Sequence, residues 1–221
     1  MSVMIEFNIL AIDGGGMRGI IPLLVLDRIE REFQIKVHEY FDLIAGTSTG
    51  AMIACGLTLP KSKIDVTRAY SPKDLFDLYA NKGSEIFSGT SNRLFRNISS
   101  FKSYFLREHS NKGLKKVLEE YFKNNYIGDL IKPVYIPAFD YMNNEIIEFT
   151  SREALNEEAK DLLIRDVLSA TTAAPTYFES HRLTFDNKSL RCIDGGVVMN
   201  NPSLGALNEY LNNAHFAIYN R

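Results

Sequence analysis

The sequence predicts an α/β fold: a three-layer α/β/α sandwich around a central, mostly parallel sheet. Three observations point there. Short apolar runs of strand length alternate with longer stretches of helical period from the N-terminus onward. The first two runs each lead through a glycine-rich turn into a helical pattern, Gly14-Gly15-Gly16-Met17-Arg18-Gly19 after the first and Gly46-Thr47-Ser48-Thr49-Gly50 after the second. A strand-helix-strand-helix start is the signature of a parallel sheet covered by helices. At 221 residues the chain is long enough for a substantial core and reads as a single domain over 1–221.

Each element has its own local reason. Residues 6–12 read as a short buried strand, the first, and Pro22 opens a helix carrying Leu23, Leu26, Ile29 and Phe33 on one face. Leu43, Ile44 and Ala45 make the second strand, and the helix after Ser48 runs to about Leu59. Ser71-Pro72-Lys73-Asp74 reads as an N-cap, a proline at the first helical position and an acid at the third, opening a helix with Leu75, Phe76, Leu78 and Tyr79. Leu114, Val117, Leu118, Tyr121 and Phe122 mark the next helix. Residues 133–141 and 145–150 are strands joined through Asn143-Asn144, and 162–170 is helical. Residues 182–185 and 190–193 are strands flanking a turn at Asn187-Lys188, and Asn201-Pro202 begins the last helix.

Bulk properties exclude several classes. A net charge of −2 provides no field to recruit nucleic acid. No apolar run approaches the about 18 residues that cross a membrane, and the N-terminus shows no secretory leader pattern. Cys55 and Cys192 stand far apart with no second pair, which suits a reducing compartment and argues against a zinc site or disulfide scaffold. The expected location is cytoplasmic or peripheral to a membrane. Arg93, Arg96, Lys102, Arg107, Lys112, Lys115 and Lys116 fall in one stretch with few acids, interleaved with Phe95, Phe101, Tyr104 and Phe105. Two readings stand: an interfacial patch making transient contact with anionic lipid, or a helical region with a solvated basic face and an aromatic core side.

The chemistry centres on Ser48. Gly46-Thr47-Ser48-Thr49-Gly50 between a strand and a helix is the G-x-S-x-G pattern of a nucleophile elbow. A sharp turn strains its apex residue, so the neighbours must lack bulk, and the helix behind it aims free N–H groups at the same place. The first glycine loop has two readings. Gly14-x-Gly16-x-x-Gly19 matches a dinucleotide fingerprint, but that fingerprint also needs an acid at the end of the second strand, where Ala45-Gly46-Thr47-Ser48 stands instead. Alternatively both loops emerge at the same edge of the sheet, and backbone N–H groups of Gly14, Gly15 and Gly16 face the serine hydroxyl, ready to hold an oxyanion. Ser48 needs a base. Of four histidines, His38, His109 and His181 occupy structural or surface settings, while His215 alone follows Ser48 and an acid in triad order. Asp194 is the better candidate: it ends an apolar strand and is followed by Gly195 and Gly196, so its carboxylate can point into a cleft over bare backbone. Standing alone it would read as an Asp-Gly hairpin turn.

Four blocks in order resemble the patatin-like phospholipase family. They are Asp13 to Gly19, Gly46 to Gly50, Ala170-Thr171-Thr172-Ala173-Ala174-Pro175-Thr176-Tyr177-Phe178, and Asp194-Gly195-Gly196 followed by Asn200-Asn201-Pro202. The resemblance implies the patatin-like α/β/α sandwich and a Ser-Asp dyad with no catalytic histidine, Ser48 attacking an ester carbonyl and Asp194 acting as base. It implies an oxyanion loop at Gly14, Gly15 and Gly16. Arg18, Gly46, Gly50, Gly195 and Gly196 are its supporting residues. The expected substrate is a phospholipid or other polar lipid ester, with no metal and no organic cofactor. Relatives usually follow the helix after Asn-Asn-Pro with another core strand, so the domain is expected to be truncated at its C-terminus relative to that pattern. Two other functions are weighed: a non-catalytic lipid-binding or storage protein of the same fold, and a nucleotide-binding domain using the first glycine loop.

Overall fold

Strand β1 (Ile9–Ile12) runs parallel to β2 (Leu43–Gly46), pairing Ile9 with Leu43 through Ile12 with Gly46. In the computed structural model the described residues are 6–62, 69–86 and 112–219. The stretch from Arg93 to Arg107, with its four aromatic residues, and His109 lie outside them. Between β1 and β2 come a 3-10 turn (Gly16–Gly19), helix α1 (Ile20–Phe33) and the short α2 (Val37–Tyr40). Residue 33 departs from the expected core stripe: Phe33 closes α1 at 69% exposure, and Glu30 is buried instead, accepting the Val37 N–H at 2.9 Å. A buried carboxylate is tolerated there because it satisfies a backbone donor.

Helix α3 (Thr49–Thr58) has all ten residues buried, as an almost uniformly apolar helix must. Helix α4 (Pro72–Ile86) starts as its sequence dictates: Asp74 Oδ2 accepts from the Ser71 N–H at 2.9 Å, and Ser71 Oγ accepts from the Asp74 N–H at 3.2 Å. Helix α5 (Lys112–Phe122) buries Leu114, Val117, Leu118 and Phe122. Then come β3 (Val134–Asp140), β4 (Glu145–Thr150), α6 (Ser151–Asn156), α7 (Ile164–Thr171), β5 (His181–Phe185), β6 (Lys188–Asp194), α8 (Gly196–Met199) and α9 (Ser203–Tyr219). Among the described residues no helix is long and apolar enough to cross a membrane.

Helices cover both faces of the six-stranded sheet. On one face α3 and α7 pack over Ile44, Val134, Ile136 and Ala138 in the main core. On the other, α9 covers Leu43, Ala45 and Tyr135 through Ala206. Alternate strand residues thus serve opposite cores. The sheet is mixed rather than mostly parallel: β1–β2 and β2–β3 are parallel, while β3–β4, β3–β6 and β5–β6 are antiparallel. Turn length accounts for two of the three antiparallel pairings. Four residues join β3 to β4 and two join β5 to β6, too few for a crossover, so both pairs must fold back as hairpins. Asp186 and Asn187 have φ of 49° and 59°, as a two-residue hairpin turn requires.

One register places the site. β4 pairs with β3 from Tyr135 to Asp140 and so fills one edge of it. β2, at Val134 and Tyr135, and β6, at Ala138 to Asp140, must therefore share the other edge. They run in opposite directions along it, so their C-terminal ends meet near Pro137.

Gly205, in the first turns of α9, lies where a Cβ would come within 2.2 Å of the Tyr135 hydroxyl oxygen, and that ring is 1% exposed. Gly205→Ala should therefore destabilise the protein by about 1–3 kcal/mol, the usual cost of overpacking. A lower urea midpoint with unchanged m-value is the expected reading; an unshifted midpoint would show that α9 is free to lift.

Candidate active site

The turn after β2 needs its glycines because backbones cross in contact there. A Cβ on Gly46 would sit 2.2 Å from the Gly50 carbonyl, and one on Gly50 would sit 2.1 Å from the Ile12 oxygen. Thr47 is pinned on both sides, its N–H donating to Ile12 O at 3.2 Å and its hydroxyl to Met199 O at 2.8 Å. Between them Ser48 has φ 54° and ψ −121°, a conformation that L-residues rarely adopt. The strain projects the half-buried hydroxyl away from β2, and Oγ donates to Asp194 Oδ2 at 2.6 Å.

Asp194 is the last residue of β6 and is 7% exposed. Its other oxygen, Oδ1, accepts the Gly196 N–H at 2.7 Å. Burial pushes its carboxyl above the usual carboxylate range, although the hydrogen bonds from Ser48 and Gly196 pull the other way. Gly195 presses on β3, where a Cβ would meet the Pro137 oxygen at 2.2 Å, and a Cβ on Gly196 would meet Asp194 Oδ1 at 2.9 Å. The two glycines following Asp194 are therefore dictated by the same closeness that buries its carboxylate.

The first glycine loop lies against the serine: a Cβ on Gly14 would be 3.3 Å from Ser48 Cβ. The Gly14 N–H is already committed, donating to Asn200 O at 3.2 Å. Gly15 and Gly16 make no backbone N–H hydrogen bond among the described residues. Gly16 has φ 56°, which favours glycine. Arg18 is exposed and reaches back over the loop, its N–H at 3.1 Å and its Nε at 3.3 Å both donating to Gly15 O. Asn201 Nδ2 donates to Asp13 Oδ1 at 2.8 Å, tying the loop to the segment after α8.

Among the described residues the histidines serve elsewhere. His38 Nε2 lies 3.9 Å from Glu39 and His181 Nε2 lies 3.7 Å from Asp166. His109 and the His215 side chain fall outside the description. No group of three or more His, Cys, Asp or Glu among the described residues is placed to hold a metal. Three residues carry contacts here to which sequence reasoning assigned no role: Thr47, Thr171 and Asn200. Thr171 and Asn200 stand in the third and fourth sequence blocks, yet only the fold brings them to Ser48 and Gly14. Thr171 Oγ1 accepts the Ser48 N–H at 3.1 Å and donates to Pro137 O at 2.6 Å.

The sequence matches the patatin-like phospholipase family over residues 10–207. Patatin-like protein 2 of Arabidopsis thaliana is 32% identical over 216 residues, which take in 93% of this chain and 53% of the relative. A cGAMP-activated phospholipase of Pseudomonas aeruginosa is 36% identical over 204 residues, 92% of this chain and 56% of the relative. Among solved structures, VipD from Legionella pneumophila aligns with a TM-score of 0.47 at 16% identity, over 89% of this chain and 47% of that one. The chain spans about half the length of the curated relatives it matches.

The buried carboxylate has a stability consequence. Asp194 binds its proton more tightly folded than unfolded, so between the ordinary carboxylate range and its raised value stability falls as pH rises. Asp194→Asn keeps the shape without the charge. Thermal scans should find it more stable than wild type near neutrality, the gap closing as pH drops to about 4. A variant less stable at neutral pH would mean that the two hydrogen bonds outweigh the cost of burial.

Proposed function

The chain belongs to the patatin-like phospholipase family, and we propose that it is a serine acyl hydrolase cleaving ester bonds of phospholipids or other polar lipids. The observation that carries the reading is the 2.6 Å hydrogen bond from Ser48 Oγ to Asp194 Oδ2, made by a serine on a strained strand-to-helix turn. All six described strands and helices α1 to α7 contribute to one main core running from Ile12 to Cys192, and α9 packs on the opposite face of the same sheet, which supports reading 1–221 as one catalytic domain.

In this reading Ser48 Oγ attacks the ester carbonyl carbon as its proton passes to Asp194. Burial suits the carboxylate to the task, because a raised pKa makes it a stronger base than an exposed acid. Gly196 N–H holds the other oxygen and keeps Oδ2 aimed at the serine. The developing oxyanion is held by the N–H groups of Gly15 and Gly16. Gly14, whose N–H is taken by Asn200, supplies close approach rather than a donor. Arg18 sets the direction of the second donor: it clasps the Gly15 carbonyl, and across a trans peptide the Gly16 N–H points the opposite way. Collapse of the tetrahedral intermediate breaks the ester C–O bond, and the leaving alcohol takes the proton back from Asp194. Water, deprotonated by the same carboxylate, then attacks the acyl-serine. The second collapse frees the acid and restores the Ser48 hydroxyl.

Ser48→Ala should abolish hydrolysis of a p-nitrophenyl ester and of phospholipid vesicles, and a fluorophosphonate probe should label the wild type at Ser48 alone. Asp194→Asn should lose at least about 100-fold in rate, while His215→Ala changes little. A crippling His215→Ala would replace the dyad with a triad. A wild type that binds vesicles but neither hydrolyses nor labels would favour a lipid-binding or storage protein, and dinucleotide binding would favour the nucleotide reading.

Gly16→Ala tests the donor loop separately. Its side chain is strained at a φ of 56°, so the loop must shift and carry the Gly16 N–H with it. The expected loss is on the order of 100-fold in kcat/KM, as for removal of one oxyanion donor. Unchanged kinetics would remove this loop from the mechanism.

A further inference from the structure

Where the ends of β2 and β6 meet along β3, the ladder lapses. β2 pairs with β3 at Val134 and Tyr135 and β6 takes over at Ala138, which leaves the Pro137 carbonyl between them without a strand partner on that edge. The Thr171 hydroxyl fills this place, donating to Pro137 O at 2.6 Å. A hydroxyl has one proton. With that proton spent on Pro137, its lone pairs are turned to the Ser48 N–H, which they accept at 3.1 Å. The same residue's carbonyl accepts the Gly195 N–H at 3.3 Å, and two residues on, Ala173 O accepts the Asp194 N–H at 3.0 Å. Thr171 is wholly buried at the C-terminal end of α7.

We propose that Thr171 is a positioning residue that couples the nucleophile to its base, through a hydroxyl that holds the Ser48 backbone and a carbonyl that holds the turn after Asp194. The inference rests on the Ser48–Asp194 reading and adds a residue to it. It has a chemical consequence. With its N–H engaged by Thr171, Ser48 contributes no backbone donor of its own to an oxyanion, and the strained φ of 54° is held by a side chain 123 residues away in addition to the local turn. Valine has nearly the shape of threonine but can neither accept from Ser48 nor donate to Pro137. Serine can do both.

The test compares wild type with Thr171→Val, Thr171→Ala and Thr171→Ser, using p-nitrophenyl butyrate hydrolysis, the rate of fluorophosphonate labelling at Ser48, and thermal melting. Thr171→Val should lose on the order of 10- to 100-fold in kcat, the scale expected for slight misplacement of reacting groups. KM should stay within about twofold, since ground-state binding is untouched, and labelling should slow by the same factor as kcat. Thr171→Ser should recover most of the rate. Thr171→Ala, which adds no bulk, makes the same comparison with serine if the valine variant fails to fold. A valine or alanine variant that melts earlier yet keeps kcat per labelled serine would make Thr171 merely structural and overturn the proposal. So would a serine variant as slow as alanine. A wild type that neither hydrolyses nor labels would instead overturn the dyad on which the proposal rests, whatever the Thr171 variants do.

Discussion

Strand β3 offers one edge to two strands that run toward each other, and the rest of the site depends on this. β4 occupies the opposite edge, so β2 and β6 have no alternative. Strands arriving head to head cannot continue past one another. Each must turn out of the sheet at the junction, β2 into α3 and β6 into α8. Ser48 stands in the first turn and Asp194 closes the second strand, so a 2.6 Å hydrogen bond joins residues 146 positions apart. A fully parallel sheet would place strand ends side by side; the antiparallel arrival of β6 brings the carboxylate to the serine end-on.

Such closeness leaves no space for side chains. Gly46, Gly50 and Gly195 each sit where a Cβ would come within 2.2 Å of a backbone atom of a neighbouring turn or strand. Strain at Ser48 persists because everything around it is over-determined: a fully buried helix behind, Thr47 anchored to Met199, and a threonine hydroxyl on its N–H. Burial of the Asp194 carboxylate belongs to the same arrangement. A charge kept from water costs stability, and that cost is what raises its basicity.

The far face of the sheet is held differently. There α9 lies close on Leu43, Ala45 and Tyr135, with Gly205 against the tyrosine ring. Polar groups within this layer are paired: the Tyr135 hydroxyl with Glu148, and Arg152 with both oxygens of Glu209 at 2.9 and 3.1 Å. These pairs flank a small apolar cluster and satisfy groups that burial would otherwise penalise. The segment between α8 and α9 connects this layer to the glycine loop through Asn200 and Asn201.

The sequence by itself determined whatever rests on neighbours a few residues apart. The capping box at Ser71 and Asp74, the largely apolar helix after Ser48, the β3–β4 and β5–β6 hairpins and the serine turn with its glycines were legible, because propensity, capping and turn chemistry act locally. Tertiary structure decided the rest. No local pattern tells β6 to pair with β3, so parallel pairing read from the opening strand-helix-strand run extended too far. No local pattern commits the Gly14 N–H to Asn200, exposes Phe33 or buries Glu30. Asp194 followed by two glycines is locally any Asp-Gly turn; its place after an apolar strand and among the ordered blocks singled it out as the base candidate, and the fold sets it 2.6 Å from Ser48 Oγ. Thr171 in its sequence block looks like one small residue among several, because its two hydroxyl partners lie 123 and 34 residues away. Long-range hydrogen bonds form between groups common to every chain, so only the packing that brings them together selects which are made.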